Sequence, residues 1–171
     1  DTDTAINCMN LGRLSFARGE AGAALEQLSQ SLELHRKIGE ARAIVRVQGF
    51  TGQVLLALGR VEEASPVIRE GLSSAVSLGL LDRTSDLLLG AAGVLLAKGR
   101  GEMAARCAAA VQGRDLGRWT SRRLEELMAM LPGPVPPVPP PEEAPEHVRT
   151  VLSEVLEALG GTHAQGQEEG K

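Results

Sequence analysis

Histidines, cysteines and one short arginine run are the side chains in this sequence that could do chemistry. His35, His147 and His163 fall far apart, and none has a second His, Cys or acid at the spacing a metal site needs. His35 stands between Leu34 and Arg36 in a charged stretch and is expected at a solvated helix edge. Cys8 and Cys107 belong to no Cys-x-x-Cys pair and sit in apolar stretches, so both read as buried, reduced thiols. The sequence holds no G-x-S-x-G elbow, no phosphate loop and no G-x-G-x-x-G turn after a strand. The expectation is a chain that is not an enzyme and needs no metal or cofactor.

The arginine run is Arg114, Arg118 and Arg122, four residues apart, with Arg123 adjacent and Trp119 among them. Such a row could grip phosphates while the indole stacked on a base. Gly117 interrupts the helix that would align it, and Glu125 and Glu126 are placed to pair with Arg122. Nucleic acid is therefore not the expected partner. Trp119 covered by an arginine, as a cap on the end of the fold, is the plainer reading.

The elements that position these residues follow from composition and period. Aromatic residues make up 2% of the chain and tyrosine is absent, so the interior must be built from Leu, Val, Ile and Ala. Small side chains let helix axes approach closely, whereas a β-sandwich without aromatics would be unusual. The net charge of −4 points to no polyanionic partner. The longest apolar run, residues 87–97, is shorter than the ~18 residues a membrane span needs. No membrane partner is expected, and the location expected is cytoplasmic.

A 40-residue period organises the chain: Gly19, Gly59 and Gly99; Ala24, Ala64 and Ala104; Ala17, Ala57 and Ala97; Phe16, Leu56 and Leu96. Such a period signals a stacked repeat, because one unit cannot bury its apolar face alone. The spacing predicts helices over 4–18 and 21–37, 40–58 and 61–78, and 81–98 and 102–116, in units 1–39, 40–79 and 80–117. In the first helix Ile6, Met9, Leu11, Leu14 and Phe16 are the apolar positions, and in the second Ala24, Leu25, Leu28, Leu32 and Ile38. Glycines end the helices, the last of them in the pairs Ile38-Gly39, Leu78-Gly79 and Leu116-Gly117. Pro66 falls close enough to a helix start to be tolerated. A further helix, within 118–131, is expected to cap the stack.

Prolines crowd residues 132–143, which read as an extended, semi-rigid linker. Residues 144–160 form an amphipathic helix with Val148, Val151, Leu152, Val155, Leu156 and Leu159 on one stripe. That stripe must dock, either on the repeats or on a partner. Residues 161–171 read as a disordered tail.

The repeats resemble the tetratricopeptide (TPR) family. The residues that carry the resemblance are Leu11-Gly12, Gly19 and Ala24; Gly52, Gly59 and Ala64; and Gly99 and Ala104. The aromatic and terminal proline positions of the motif are not matched, and the unit is longer than the family's ~34 residues. Units of this kind are similar to the sensor arrays of bacterial LuxR-type and other large ATP-binding transcriptional regulators.

The resemblance implies an all-α, TPR-like solenoid of three hairpins plus the capping helix and the C-terminal helix. It implies a concave surface lined by the first helix of each unit. Its positions would be Ile6, Met9, Arg13 and Phe16, then Arg46, Gly49, Gln53 and Leu56, then Asp86, Leu89, Gly93 and Leu96. Only Arg13, Arg46 and Gln53 there suit the grip on a carboxylate that some members use, so an apolar helix or peptide is the better guess. The function implied is a protein-interaction scaffold or sensor within a bacterial regulator. The alternatives are a peptide or small-effector receptor and a self-association domain, in which the 148–159 stripe would dock on a second copy.

Overall fold

A computed structural model describes residues 1–112, 114, 116–138 and 143–160. Among these it holds eight α-helices, one 3₁₀ turn and no strand. Three antiparallel hairpins follow one another: α1 (Thr2–Ala17) with α2 (Ala21–Ile38), α3 (Ala41–Ala57) with α4 (Val61–Ser77), and α5 (Ser85–Ala97) with α6 (Gly101–Val111). The 3₁₀ turn, Leu81–Arg83, precedes α5. Two further helices complete the fold, α7 (Arg118–Met130) and α8 (Ala144–Gly160). Each helix packs on the next in the series from α1 to α6, and α3 also packs on α5 and, more lightly, on α1. No comparable packing joins α2 to α4 or α4 to α6. The first helices of the pairs therefore form the inner layer, and the second helices splay outward. The architecture is an all-α helical-repeat solenoid.

Five glycines make the bends. Gly19, Gly39, Gly59, Gly79 and Gly99 have φ between +67° and +82°, a left-handed conformation that costs other residues steric strain. After each glycine the next amide reaches back to close the helix end. Glu20 N–H donates to Ser15 O at 2.9 Å, and Glu40, Arg60, Leu80 and Arg100 repeat the bond onto His35, Leu55, Ala75 and Leu95. Within the hairpins glycine acts differently. A Cβ on Gly12 would stand 2.8 Å from Leu28 Cγ, and one on Gly52 would stand 2.4 Å from Ile68 Cγ1. The third unit has Ala92 and Ala108 at the same positions. There the larger residue on one helix is matched by a smaller one on the other, which conserves volume.

Several expectations need correction. The pair Leu116-Gly117 does not close α6, which ends at Val111; Gly117 instead precedes α7 with φ −61°. The predicted span 102–116 ran across Gly113, a weak helix former, and the series of bend glycines ends with Gly99. The first helix of the third unit starts at Ser85 rather than 81, after the 3₁₀ turn. His35 is fully buried, not solvated. The face of α2 that points inward is Ala24, Leu28, Ser31 and His35, so two polar residues hold core positions while Ile38 lies exposed. Ser31 Oγ donates to Ala5 O at 2.7 Å, and His35 Nδ1 lies 2.9 Å from Glu40 Oε2. On α1, Leu11 and Leu14 are exposed, whereas Ala5, Cys8, Met9 and Gly12 are buried. The linker is described only over 132–138 and at Glu143, and the predicted tail, 161–171, lies outside the described residues.

α8 docks on the outer layer against α4 and α6, filling the gap where the second helices splay. Val148, Val151, Leu152 and Val155 are buried there, and Leu156 and Leu159 pack at the edge. Arg106 pairs with Glu154, and Arg100 Nη1 donates to Ala158 O at 3.2 Å. The stripe is thus covered by the chain's own repeats, so a second copy is not needed to bury it. Leu152→Ala is expected to cost about 2–5 kcal/mol, the range for truncating a fully buried leucine. Urea denaturation followed by circular dichroism checks this, and a loss below about 1 kcal/mol would mean α8 is not part of the core.

Candidate functional site

The chain has only three aromatic residues, Phe16, Phe50 and Trp119, and all three meet on the inner face. Phe16 comes from the last turn of α1, Phe50 from mid-α3 and Trp119 from the first turn of α7. The Phe16 and Trp119 rings are 5.1 Å apart between centroids and tilted by 56°, an arrangement that aromatic quadrupoles favour. Arg13 Cζ lies 4.8 Å from the centroid of Phe50, and Arg123 Cζ 5.9 Å from that of Phe16. α7 packs on α5 and α6 as a terminal helix should, yet its first turn reaches back across the concave surface to α1. Trp119 therefore stacks on a phenylalanine within the groove. The expected arginine cap at the end of the array is corrected by this contact.

A carboxylate ties the layer together. Asp86, in the first turn of α5, accepts at Oδ1 from Gln53 Nε2 (3.2 Å) and from Thr120 Oγ1 (3.1 Å). Gln53 Nε2 also donates to the Asp86 carbonyl at 3.1 Å. Both of its contacts are acceptors, which fixes the amide orientation. One carboxyl thus links α3, α5 and α7. Gly49 allows it, since a Cβ there would stand 3.1 Å from Asp86 Cβ. Burial pushes the Asp86 carboxyl up from its ordinary range, against the pull of the Thr120 and Gln53 hydrogen bonds and the Arg13 and Arg46 charges. Burial likewise lowers Arg46, followed by repulsion from Arg83 and Arg13.

Beside this cluster, α3, α5 and α7 enclose a cleft of about 350 Å³. Leu56, Leu89, Leu96, Leu127 and Met130 give it apolar walls, with Gln53 and Arg123 as its polar members. Met130 is 61% exposed at the mouth. Such a cleft can accept an apolar side chain; it offers no nucleophile paired with a base. Among the described residues no three His, Cys, Asp or Glu side chains gather as a metal site. Cys107 is buried and its thiol is pushed up to about 12 by that burial, so it carries no thiolate at neutral pH.

Of the positions predicted for the groove, Gln53, Leu56, Leu89 and Leu96 line this cleft, Arg13 and Phe16 belong to the aromatic cluster, and Arg46 lines a different cleft near the start of α3. Met9 does not line the groove; at 2% exposure it packs in a cluster with Ala24 and Leu28 of the first hairpin and Phe50 of α3. The α8 stripe is on the opposite, outer side. The arginine row separates: Arg114 turns back to donate to Thr84 Oγ1 (3.2 Å), Ser85 Oγ (3.0 Å) and Leu81 O, while Arg122 pairs with Glu126 as the i,i+4 spacing suggested and Arg123 joins the same carboxylate from i,i+3. Sequence reasoning missed Thr120 and Arg123 as members of the site, and missed Asp86 as its hub. The scarcity of aromatics was the one available hint, because three rings in so long a chain mark places where bulk is needed.

No protein-family model matches the chain, and no curated protein or solved structure matches it. No helix among the described residues is long and apolar enough to cross a membrane.

The Asp86 environment makes a pH prediction. The folded protein holds this proton more tightly than the unfolded chain, so stability falls as pH rises from the ordinary 3.8 through the higher folded value. Asp86→Asn keeps an oxygen for Gln53 and Thr120 and abolishes the dependence. The variant's unfolding free energy relative to wild type should therefore rise across that window in urea titrations at stepped pH. A flat or opposite trend would show that the carboxylate is not held against burial.

Proposed function

We propose that this chain is an interaction module that takes an apolar segment of a partner protein into the cleft between α3, α5 and α7. The observation that carries this reading is the cleft itself. It is walled by leucines and Met130, opens on the concave side of a helical array, and sits beside a rigid polar cluster that would set the orientation of what enters. Methionine at the mouth suits an adaptable contact, since its flexible thioether fills irregular gaps. Arg123 at the rim supplies a donor for a backbone carbonyl or an acidic side chain of the partner. The module performs recognition without chemistry. The TPR-like pattern of the repeats supports a role as the sensor or scaffold of a larger bacterial regulator, where partner binding would shift the state of an attached output unit.

The size of the cleft favours one alternative. About 350 Å³ falls within the ~300–1,000 Å³ range of small-molecule sites, so a small effector with an apolar body would also fit. Gly93→Leu tests the cleft for either occupant, because a Cβ there already meets Leu56 Cδ1 at 2.7 Å. Peptides selected on the full chain from a displayed random library should share large apolar side chains at helical spacing. Their affinity should drop at least about tenfold on Gly93→Leu, the loss of roughly one buried apolar contact. Equal binding to the filled variant would place recognition elsewhere.

A further inference from the structure

At the start of α3, on the edge of the array, Arg42, Arg46 and Arg83 line a second cleft, of about 490 Å³. Arg42 and Arg46 come from the first turns of α3 and Arg83 from the 3₁₀ turn, with Leu78, Ala41 and Ala43 as neutral wall. Glu40 is the sole acid in the lining; its Oε1 accepts from Thr2 Oγ1 at 3.2 Å, and Oε2 lies 2.9 Å from His35 Nδ1 without hydrogen-bond geometry. Two other acids stand nearby, and both are committed. Asp82 holds Arg83 through Nε alone (3.0 Å), and Asp86 accepts from Gln53 and Thr120.

The arginine donors, by contrast, are largely free. Arg46 Nε is buried with no hydrogen-bond partner, and no carboxylate among the described residues lies within ion-pair distance of Arg42. Arg46 is disfavoured as a cation by burial first and then by Arg83 and Arg13, and the Asp86 charge offsets this only in part. No side chain caps α3, whose 17 residues point the positive end of their dipole at this place.

Three guanidinium groups lining one cleft, with terminal N–H donors that no carboxylate takes, match an oxyanion that has several acceptor oxygens and more than one negative charge. A carboxylate would satisfy one fork, whereas a phosphoryl dianion can bridge two or three. We propose that this cleft binds the phosphoryl group of a phosphorylated ligand, with Arg42, Arg46 and Arg83 as its donors. The cleft is larger than the phosphoryl group alone requires, which leaves room for the rest of a small molecule or for a phosphorylated side chain. The site is separate from the apolar cleft and does not depend on what that cleft holds.

The test is isothermal titration of the full chain with inorganic pyrophosphate, with a phosphoserine peptide, and with citrate as a polycarboxylate of similar charge. Saturable binding of pyrophosphate or of the phosphopeptide, tighter than citrate, is expected, and the tighter of the two identifies the source. The exposed pair Arg42→Glu and Arg83→Glu together should reduce that affinity by at least about a hundredfold, since each charged hydrogen bond is worth roughly tenfold or more. Arg46→Lys retains the charge but loses the fork, and should weaken binding about tenfold with an unchanged circular dichroism spectrum. Absence of saturable binding, equal affinity for citrate, or an affinity unaltered in the double charge reversal would each overturn the proposal.

Discussion

The close approach of paired helices is the constraint on which the rest of this structure depends. A chain with three aromatic residues cannot fill wide gaps between helices, so its axes must come near enough for Leu, Val and Ala to meet. Gly12 under Leu28 and Gly52 under Ile68 provide that approach in the first two hairpins, and the five left-handed glycines return the chain at the right point to use it. With the hairpins this tight, the first helices stack as an inner layer and the second helices spread. The cleft, the aromatic cluster and the seat for α8 all follow from that division.

The helices beyond the repeats use the two sides of the division differently. α8 supplies bulk to the outer layer, where the splayed second helices would leave apolar surface exposed. Its contribution is non-directional and apolar. α7 lies on the inner layer, where it makes specific contacts: a ring on a ring, a hydroxyl on the Asp86 carboxylate, and arginines closing over Phe16 and Glu126. A buried, hydrogen-bonded carboxyl contributes little net stability, but it tolerates few alternative arrangements. On the concave face it fixes the relative positions of α3, α5 and α7, and so the width of the cleft they enclose.

The arginines show the same principle on the surface. Arg114 looks in the sequence like one step of a basic row, yet it folds back to satisfy Thr84, Ser85 and the Leu81 carbonyl around the 3₁₀ turn. Arg42 and Arg46 are one turn apart on α3, and Arg83, distant in sequence on the 3₁₀ turn, shares one cleft with them. Spacing along a helix predicts a charged row only where the helix continues, and here it stops at Val111.

The sequence by itself determined the solenoid. Its glycine and alanine register specifies helix ends and crossing points, because left-handed backbone and close approach are demands that single residue types meet. It also determined that an amphipathic helix lies within 144–160, and it placed Arg13, Gln53, Leu56, Leu89 and Leu96 on the first-helix face. Tertiary structure alone decided which stripe of each helix is innermost, so that His35 and Ser31 are buried while Leu11 and Ile38 are not. It alone brought Trp119 to Phe16 and Thr120 to Asp86. Those pairings join residues more than 30 positions apart that share no repeat register, and nothing in local periodicity encodes how far a terminal helix reaches back across the array. Their partners are chosen by packing geometry: by where the splay of one layer leaves the other open.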